Sequence, residues 1–376
     1  MNAGKHFLVG GIILLALLAP PMGASAQSWS WSFETIDPVG KFASAATDDK
    51  GNLHVSYISA QEGGELRYAL RPAGSSRWFN MTLDKHIPEV FTRIAVDSKG
   101  NPHICYTPAV MKYAHWDGKR WYIQEIAPGS GLISHTCSVS VAPDGTPSVT
   151  WFQTEHILRY AVLKDGAWMA RTLDAEGLVG KWNSMVLDTH GDPLIAYSAW
   201  VNGELRVAHW NGKQFEFNTV DSRTRSHGEY NIGEGNSLIL DSHGKAHISF
   251  YSEKTMKYAR QVDGDDWKVE VIDQTTWLGS WMHFRSSIAL DSHGFPHICY
   301  EDAGVLKHAN WDGKQWHIQV LARTGLDSYR YHTMAIDRDD TIYIAFRDPD
   351  DSTLKLATGH PSSDRTDPQA KKEEKK

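Results

Sequence analysis

From Ser28 to Thr358 the chain alternates short apolar runs with polar turns, and within a run the apolar positions recur at every second residue. That period belongs to β-strands, and the turns between runs are Asp-Gly, Asn-Gly and Asp-Ser-x-Gly, which close hairpins. Aligned on an Asp-x-x-Gly turn, the chain divides into seven copies anchored at Asp48, Asp97, Ala142, Asp188, Asp241, Asp291 and Asp337, spaced 45 to 53 residues apart. Each copy holds four runs, and a repeat of this length built from four strands predicts a propeller blade.

The columns of the repeat say how the blades pack. The second strand joins a β-branched residue, a small residue and an aromatic, as in His54-Val-Ser-Tyr57, His103-Ile-Cys-Tyr106 and His297-Ile-Cys-Tyr300. Such a strand suits a sheet covered on both faces. The third strand sets an alanine at one fixed depth (Ala69, Ala114, Ala161, Ala208, Ala259, Ala309, Ala357), which lets neighbouring blades approach. The fourth strand opens on Trp78, Trp121, Trp168, Phe215, Trp267 and Trp316, and the seventh copy stops after its third strand. At the other end of the chain "WSFETID" (Trp31 to Asp37) matches "WKVEVID" (Trp267 to Asp273), so the N-terminal strand is expected to complete the last blade.

The expected fold is an all-β, seven-bladed β-propeller with four-stranded antiparallel blades, one domain spanning residues 28–358. Over this span the chain resembles the secreted bacterial seven-bladed propellers of the broad sialidase-like and lectin-like group. The resemblance is architectural. A sialidase Asp box reads S-x-D-x-G-x-T-W between the third and fourth strands, whereas this chain has D-S-x-G-x-P between the first and second. It implies a binding face without implying a reaction.

The ends and the composition narrow the setting. Residues 1–26 carry Lys5 and His6, an apolar run from Phe7 to Ala19 and the ending Ala24-Ser25-Ala26, the pattern of a cleaved signal peptide. A secreted or periplasmic location follows, with no transmembrane segment after cleavage. Residues 359–376 have no apolar periodicity and are expected to be a disordered charged tail. Three cysteines, Cys105, Cys137 and Cys299, are too few for a disulfide-stapled scaffold, although Cys137 is placed to reach Cys105. A net charge of -7 with dispersed basic residues excludes an electrostatic nucleic-acid partner.

Columns that recur in every blade are assigned to structure, and columns that break are where chemistry is sought. The anchor aspartates, the tryptophans and the cations Arg67, Lys112, Arg159, Arg206, Lys257, Lys307 and Lys355 are read as turns, packing and solvated surface. His54, His103, His247 and His297 occupy equivalent places in separate blades and cannot meet on one metal ion. Four residues before the anchor stand Ser44, Arg93, Ser138, Ser184, Ser237, Ser287 and Thr333, with Arg93 the exception. Just before them come Phe42, Phe91, Trp182, Asn183, Asn236, Arg285, Tyr331 and His332, with His135 and His283 beside; Glu301, Asp302, Arg347 and Asp348 follow second strands.

Aromatic faces, guanidiniums and amides around one mouth suit a sugar, an acidic one above all, with Arg93, Arg285, Asn183, Asn236, Trp182, Asp302 and Arg347 as expected contacts. The bland alternative is a set of polar loop ends around a wet channel. Three functions fit: an exported binder of carbohydrate or an envelope protein; a polysaccharide lyase or glycosidase; and a scaffold subunit of an envelope assembly. A lyase would use His332 or Tyr331 as base and Arg93 or Arg285 on the uronate carboxylate, and a glycosidase would draw on Glu301 and Asp302. No cofactor is implied. Calcium at Asp348, Asp350 and Asp351 is the alternative, without the glycine of a known loop.

Overall fold

The computed structural model describes residues 29–59, 63–87, 90–126, 133–153, 156–222, 232–252, 254–276, 285–325 and 331–362. The chain opens with β1 (Trp29–Asp37) and lays down blade 1 as β2 (Lys41–Thr47), β3 (Leu53–Ser59), β4 (Glu65–Arg71) and β5 (Phe79–Lys85). Blade 2 is β6 (Thr92–Val96), β7 (Pro102–Tyr106), β8 (Lys112–Trp116) and β9 (Trp121–Glu125); blade 3 is β10 (Ile133–Val141), β11 (Pro147–Gln153), β12 (Ile157–Lys164) and β13 (Ala167–Asp174). Blade 4 is β14 (Val179–Leu187), β15 (Pro193–Ala199), β16 (Glu204–Trp210) and β17 (Phe215–Ser222); blade 5 is β18 (Ile232–Leu240), β19 (Ala246–Ser252), β20 (Thr255–Asp263) and β21 (Asp266–Gln274). Blade 6 is β22 (Ser286–Leu290), β23 (Pro296–Asp302), β24 (Val305–Trp311) and β25 (Trp316–Arg323), and the last is β26 (His332–Ile336), β27 (Ile342–Arg347) and β28 (Leu354–Pro361).

β1 pairs antiparallel with β28, so the N-terminal strand is the fourth strand of blade 7 and the ring is closed by the two chain ends. β28 runs three residues beyond the expected end of the domain, with Trp29 opposite Pro361. Gly359 is needed there, because a Cβ at that point would come within 2.7 Å of the Trp31 ring. The first strands line the axis, each against its two neighbours, and the circle closes where β26 meets β2. The seven third-strand alanines are all fully buried, as the close approach of blades requires.

The serine column has a mechanical role. Each hydroxyl accepts a backbone N–H from the first strand of the next blade: Ile94 to Ser44 (3.2 Å), Met185 to Ser138 (3.0 Å), Leu238 to Ser184 (3.1 Å), Ile288 to Ser237 (3.3 Å), Met334 to Ser287 (3.1 Å) and Ala45 to Thr333 (3.4 Å). An unpaired inner-strand amide would be costly in a buried ring, and the hydroxyl satisfies it. The belt breaks between blades 2 and 3, where Arg93 replaces the hydroxyl that the Val139 amide would meet. At this joint the Cys105–Cys137 disulfide links β7 to β10, with Cα atoms 6.3 Å apart, and Cys105 is the register partner of Arg93. Cys299 is buried and free, its thiol pKa pushed up by burial.

Five of the seven repeated cations reach a carboxylate of the preceding blade instead of standing as the expected solvated surface, whereas Arg159 and Lys355 bind Thr172 and Asp348 of their own blades. Arg67 binds Asp37 (2.7 Å), Lys112 Asp84 (3.0 Å), Lys257 Asp221 (2.6 Å) and Lys307 Asp273 (2.9 Å), in each case the carboxylate that ends the fourth strand of the preceding blade. Tyr57, Tyr106 and Tyr300 donate to Asp37, Asp84 and Asp273, and Tyr197 donates to Asp174, which also meets Arg206 at 3.5 Å; the tyrosine bonds span 2.7 to 2.8 Å. A pattern read one blade at a time misses this, because each carboxylate serves its neighbour.

Candidate functional site

At the tight-turn end most polar groups pair within their own blade, with His103 Nε2, His115 Nδ1 and His308 Nδ1 left without a hydrogen bond among the described residues. Asp48 Oδ1 accepts the amides of Lys50 (2.9 Å) and Asn52 (2.8 Å), and the same turn recurs at Asp97, Asp188, Asp241, Asp291 and Asp337. Behind the turns, His54 meets Tyr68 at 2.7 Å and Asp48 at 3.5 Å, and His103 and His247 repeat the arrangement with Tyr113 and Tyr258. These histidines are structural, one per blade.

The opposite end of the first strands is built differently. Six residues before the anchor the column reads Phe42, Phe91, Thr136, Trp182, Gly235, Arg285 and Tyr331. Bulges break the register of β2, β14 and β18 here, and Phe42 and Trp182 take left-handed backbone (φ 56° and 53°). That conformation is unfavourable for large side chains, so the surrounding packing must hold it. Phe42 packs edge-on against Phe91 and Tyr331 at 4.8 Å, and Phe91 lies 4.4 Å from Tyr331. The Arg285 guanidinium sits over Phe91 (5.2 Å), Trp182 (5.6 Å) and Tyr331 (4.9 Å). Rings from blades 1, 2, 4 and 7 thus meet an arginine from blade 6, and the cluster lies across the axis.

Only Trp182 of this cluster is half-buried; Phe42, Phe91, Arg285 and Tyr331 are buried. Beneath it, Asn183 donates to Gly180 O (3.0 Å) and Thr136 Oγ1 (3.2 Å), and Asn236 donates to Gly233 O (2.9 Å) and to Trp182 O. Both amides therefore bind backbone within and between blades. His332 donates from Nε2 to Cys299 O (3.3 Å), which leaves buried Nδ1 as an acceptor with no partner among the described residues. Burial, reinforced by the charges of Arg285 and Arg93, pushes the His332 pKa down to about 4, so its ring is neutral at physiological pH. Burial raises the Tyr331 hydroxyl pKa, and Tyr331 is therefore protonated.

Arg93 is half-buried on β6, one of the first strands that line the axis. Burial first, and then the charge of Arg285, pushes its pKa well down; burial lowers that of Arg285 too. Among the described residues no carboxylate pairs with either guanidinium.

The remaining expected residues are engaged elsewhere. Asp302 accepts Lys307 Nζ (2.8 Å) and the Thr276 amide (2.6 Å), Arg347 donates to Ser352 (2.7 Å), and Glu301 is buried on β23 with its amide donating to Tyr251 (2.9 Å). Asp348 binds Lys355 and the Asp350 amide, and Asp351 accepts from Thr353. No group of three metal-ligating side chains occurs among the described residues. The side chain of His135, and all of His283, lie outside them.

Glu234 and Lys181 were not singled out from sequence. Burial pushes the Glu234 carboxyl up to about 7 against the opposing charge of Lys181, whose Nζ sits 4.2 Å from the Trp200 ring centre. Both stand seven residues before the anchor, and a polar pair in that column of adjacent blades is the signal that could have found them.

The chain is thus a seven-bladed β-propeller whose loop-side axis carries an aromatic and arginine cluster. No protein-family model and no curated protein matches it. Among solved structures it is similar to the BP39L lectin from Burkholderia pseudomallei (TM-score 0.65, 11% identity, covering 88% of this chain and 99% of that one). It is also similar to the fucose-specific lectin from Aleuria aurantia (TM-score 0.53, 14% identity, 78% and 99%). The Cps50 (Swd1) β-propeller domain from Myceliophteria thermophila matches comparably (TM-score 0.57, 11% identity, 86% and 98%). At these identities the likeness is one of fold.

Proposed function

We propose that this protein is an exported carbohydrate-binding propeller that takes its glycan at the loop-side end of the axis. The observation that carries the reading is the cluster of Phe42, Phe91, Trp182 and Tyr331 around Arg285, aromatic faces and a cation gathered from five blades at one place. Flat apolar faces beside fixed polar donors are what a sugar ring needs. The lectin-like neighbours support the class without specifying the sugar, and the Cys105–Cys137 disulfide supports an oxidising compartment. On a glycan array, binding that Trp182→Ala abolishes is the expected result. An array with no signal above background would remove the reading.

A second reading, a polysaccharide lyase, is favoured by the neutral His332 ring whose Nδ1 lone pair, under the charges of Arg285 and Arg93, has no partner among the described residues. Uronate polysaccharides should then gain unsaturated ends in the presence of the protein, and His332→Gln should stop this. No product from any uronate polymer leaves the binder alone.

A further inference from the structure

We propose that Arg93 and Arg285 form a carboxylate socket on the axis, so that the glycan taken there is one bearing a uronic-type acid. The sugar in this statement rests on the glycan reading above, whereas the carboxylate rests on the arginines themselves.

Arg93 stands two residues after Phe91, whose ring lies 5.2 Å from the Arg285 guanidinium, and no carboxylate among the described residues offsets either cation. Ion burial without a counter-charge is among the costliest arrangements a fold can hold. Aromatic faces offset part of it for Arg285, which lies over three rings, but its buried Nε has no partner. Among the described residues Arg93 has no such ring, ion pair or side-chain hydrogen bond.

Arg93 also displaces a structural group. Every other blade uses this position for the hydroxyl that ties it to the next blade, and only at Arg93 is that tie replaced, with a disulfide holding the joint instead. A fold that gives up a structural hydrogen bond to place an unpaired cation on its axis leaves that cation for an outside partner. The guanidinium fork matches a carboxylate in plane and spacing. His332 Nδ1, an acceptor, suits a neighbouring sugar hydroxyl and not the anion itself.

Calorimetric titration of the purified protein with D-glucuronate, D-galacturonate, their neutral parent sugars and acetate tests this. Binding of a uronate but not of its neutral parent is expected, and Arg93→Ser or Arg285→Met, each checked for an unchanged circular dichroism spectrum, should weaken it by about 10- to 100-fold. Acetate binding that depends on Arg93, with no sugar bound, keeps the socket and removes the glycan reading. Neutral sugars binding as tightly as uronates, or uronate binding indifferent to Arg93→Ser, overturns the socket and leaves the glycan reading standing. No heat from any probe overturns the socket.

Discussion

At the tight-turn end of blade 6, Asp291 accepts the amides of His293 and Phe295 and faces His297 at 3.6 Å, while the other nitrogen of His297 meets His308 at 3.0 Å. At the loop end of the same blade, Arg285 lies buried on three rings with Nε unpartnered. One blade thus pairs most of its polar groups at one end, the closed one, although His308 Nδ1 has no partner among the described residues, and at the other, open end it holds a buried cation that no carboxylate among the described residues offsets. The closed end recurs around the ring, so its geometry answers a need that every blade shares. The open end differs from blade to blade, and unpaired buried charge concentrated there is the mark of a group kept for another molecule.

Acid should have the largest effect, and it acts at both ends, since His332 at the loop end is held down to about 4 by burial as well. Burial holds the pKa values of His54, His103, His247 and His308 below the ordinary value, His103 down to about 4. The unfolded chain takes up these protons near pH 6.5 while the folded chain does not. Their stabilisation is therefore complete above about pH 6.5 and is lost as pH falls towards 4, by up to about 1.4 kcal/mol per histidine per pH unit. For the anchor aspartates Asp48, Asp97, Asp241 and Asp291, burial raises the pKa but hydrogen bonds from the turn outweigh it and the net shift is downward. They add stability above about pH 4 that is lost as pH falls through their folded values. Melting curves at about pH 7.5 and pH 5 should differ by several kcal/mol in unfolding free energy; equal stabilities would contradict the buried, neutral state of these histidines.

Next in size is the joint between blades. Asp37→Ala leaves Arg67 and Tyr57 without their shared acceptor in the closing strand, at an expected cost of about 3 to 5 kcal/mol in chemical denaturation. A loss below about 1 kcal/mol would return the repeated cations to the solvated surface. Reduction of the Cys105–Cys137 bond should cost about 2 to 4 kcal/mol, because it holds the one joint where the hydroxyl belt is broken. An unchanged denaturation midpoint under reductant would show that the joint holds without it.

The ring, its closure by Trp31 to Asp37 and the buried alanine column were legible because each depends on period and side-chain size, which sequence carries directly. The tie between Ser44 and Ile94 and the pairing of Arg67 with Asp37 were not, since both cross from one repeat to the next. Arg93 and Arg285 stood out as departures from their columns. That Asn183 and Asn236 bind backbone, and that Asp302 already has Lys307, depends on bulges and loop paths that no column records.

The smallest expected change bears most directly on the open end. Thermal unfolding of Arg93→Ser in low salt without added sugar should show a more stable protein than the wild type, by about 1 kcal/mol from the restored hydroxyl and the Val139 amide it can accept, with further gain from removing an unpaired cation. A lower melting temperature would mean that Arg93 is a structural group, and the claim that the loop-side axis holds its charges for a ligand would be wrong.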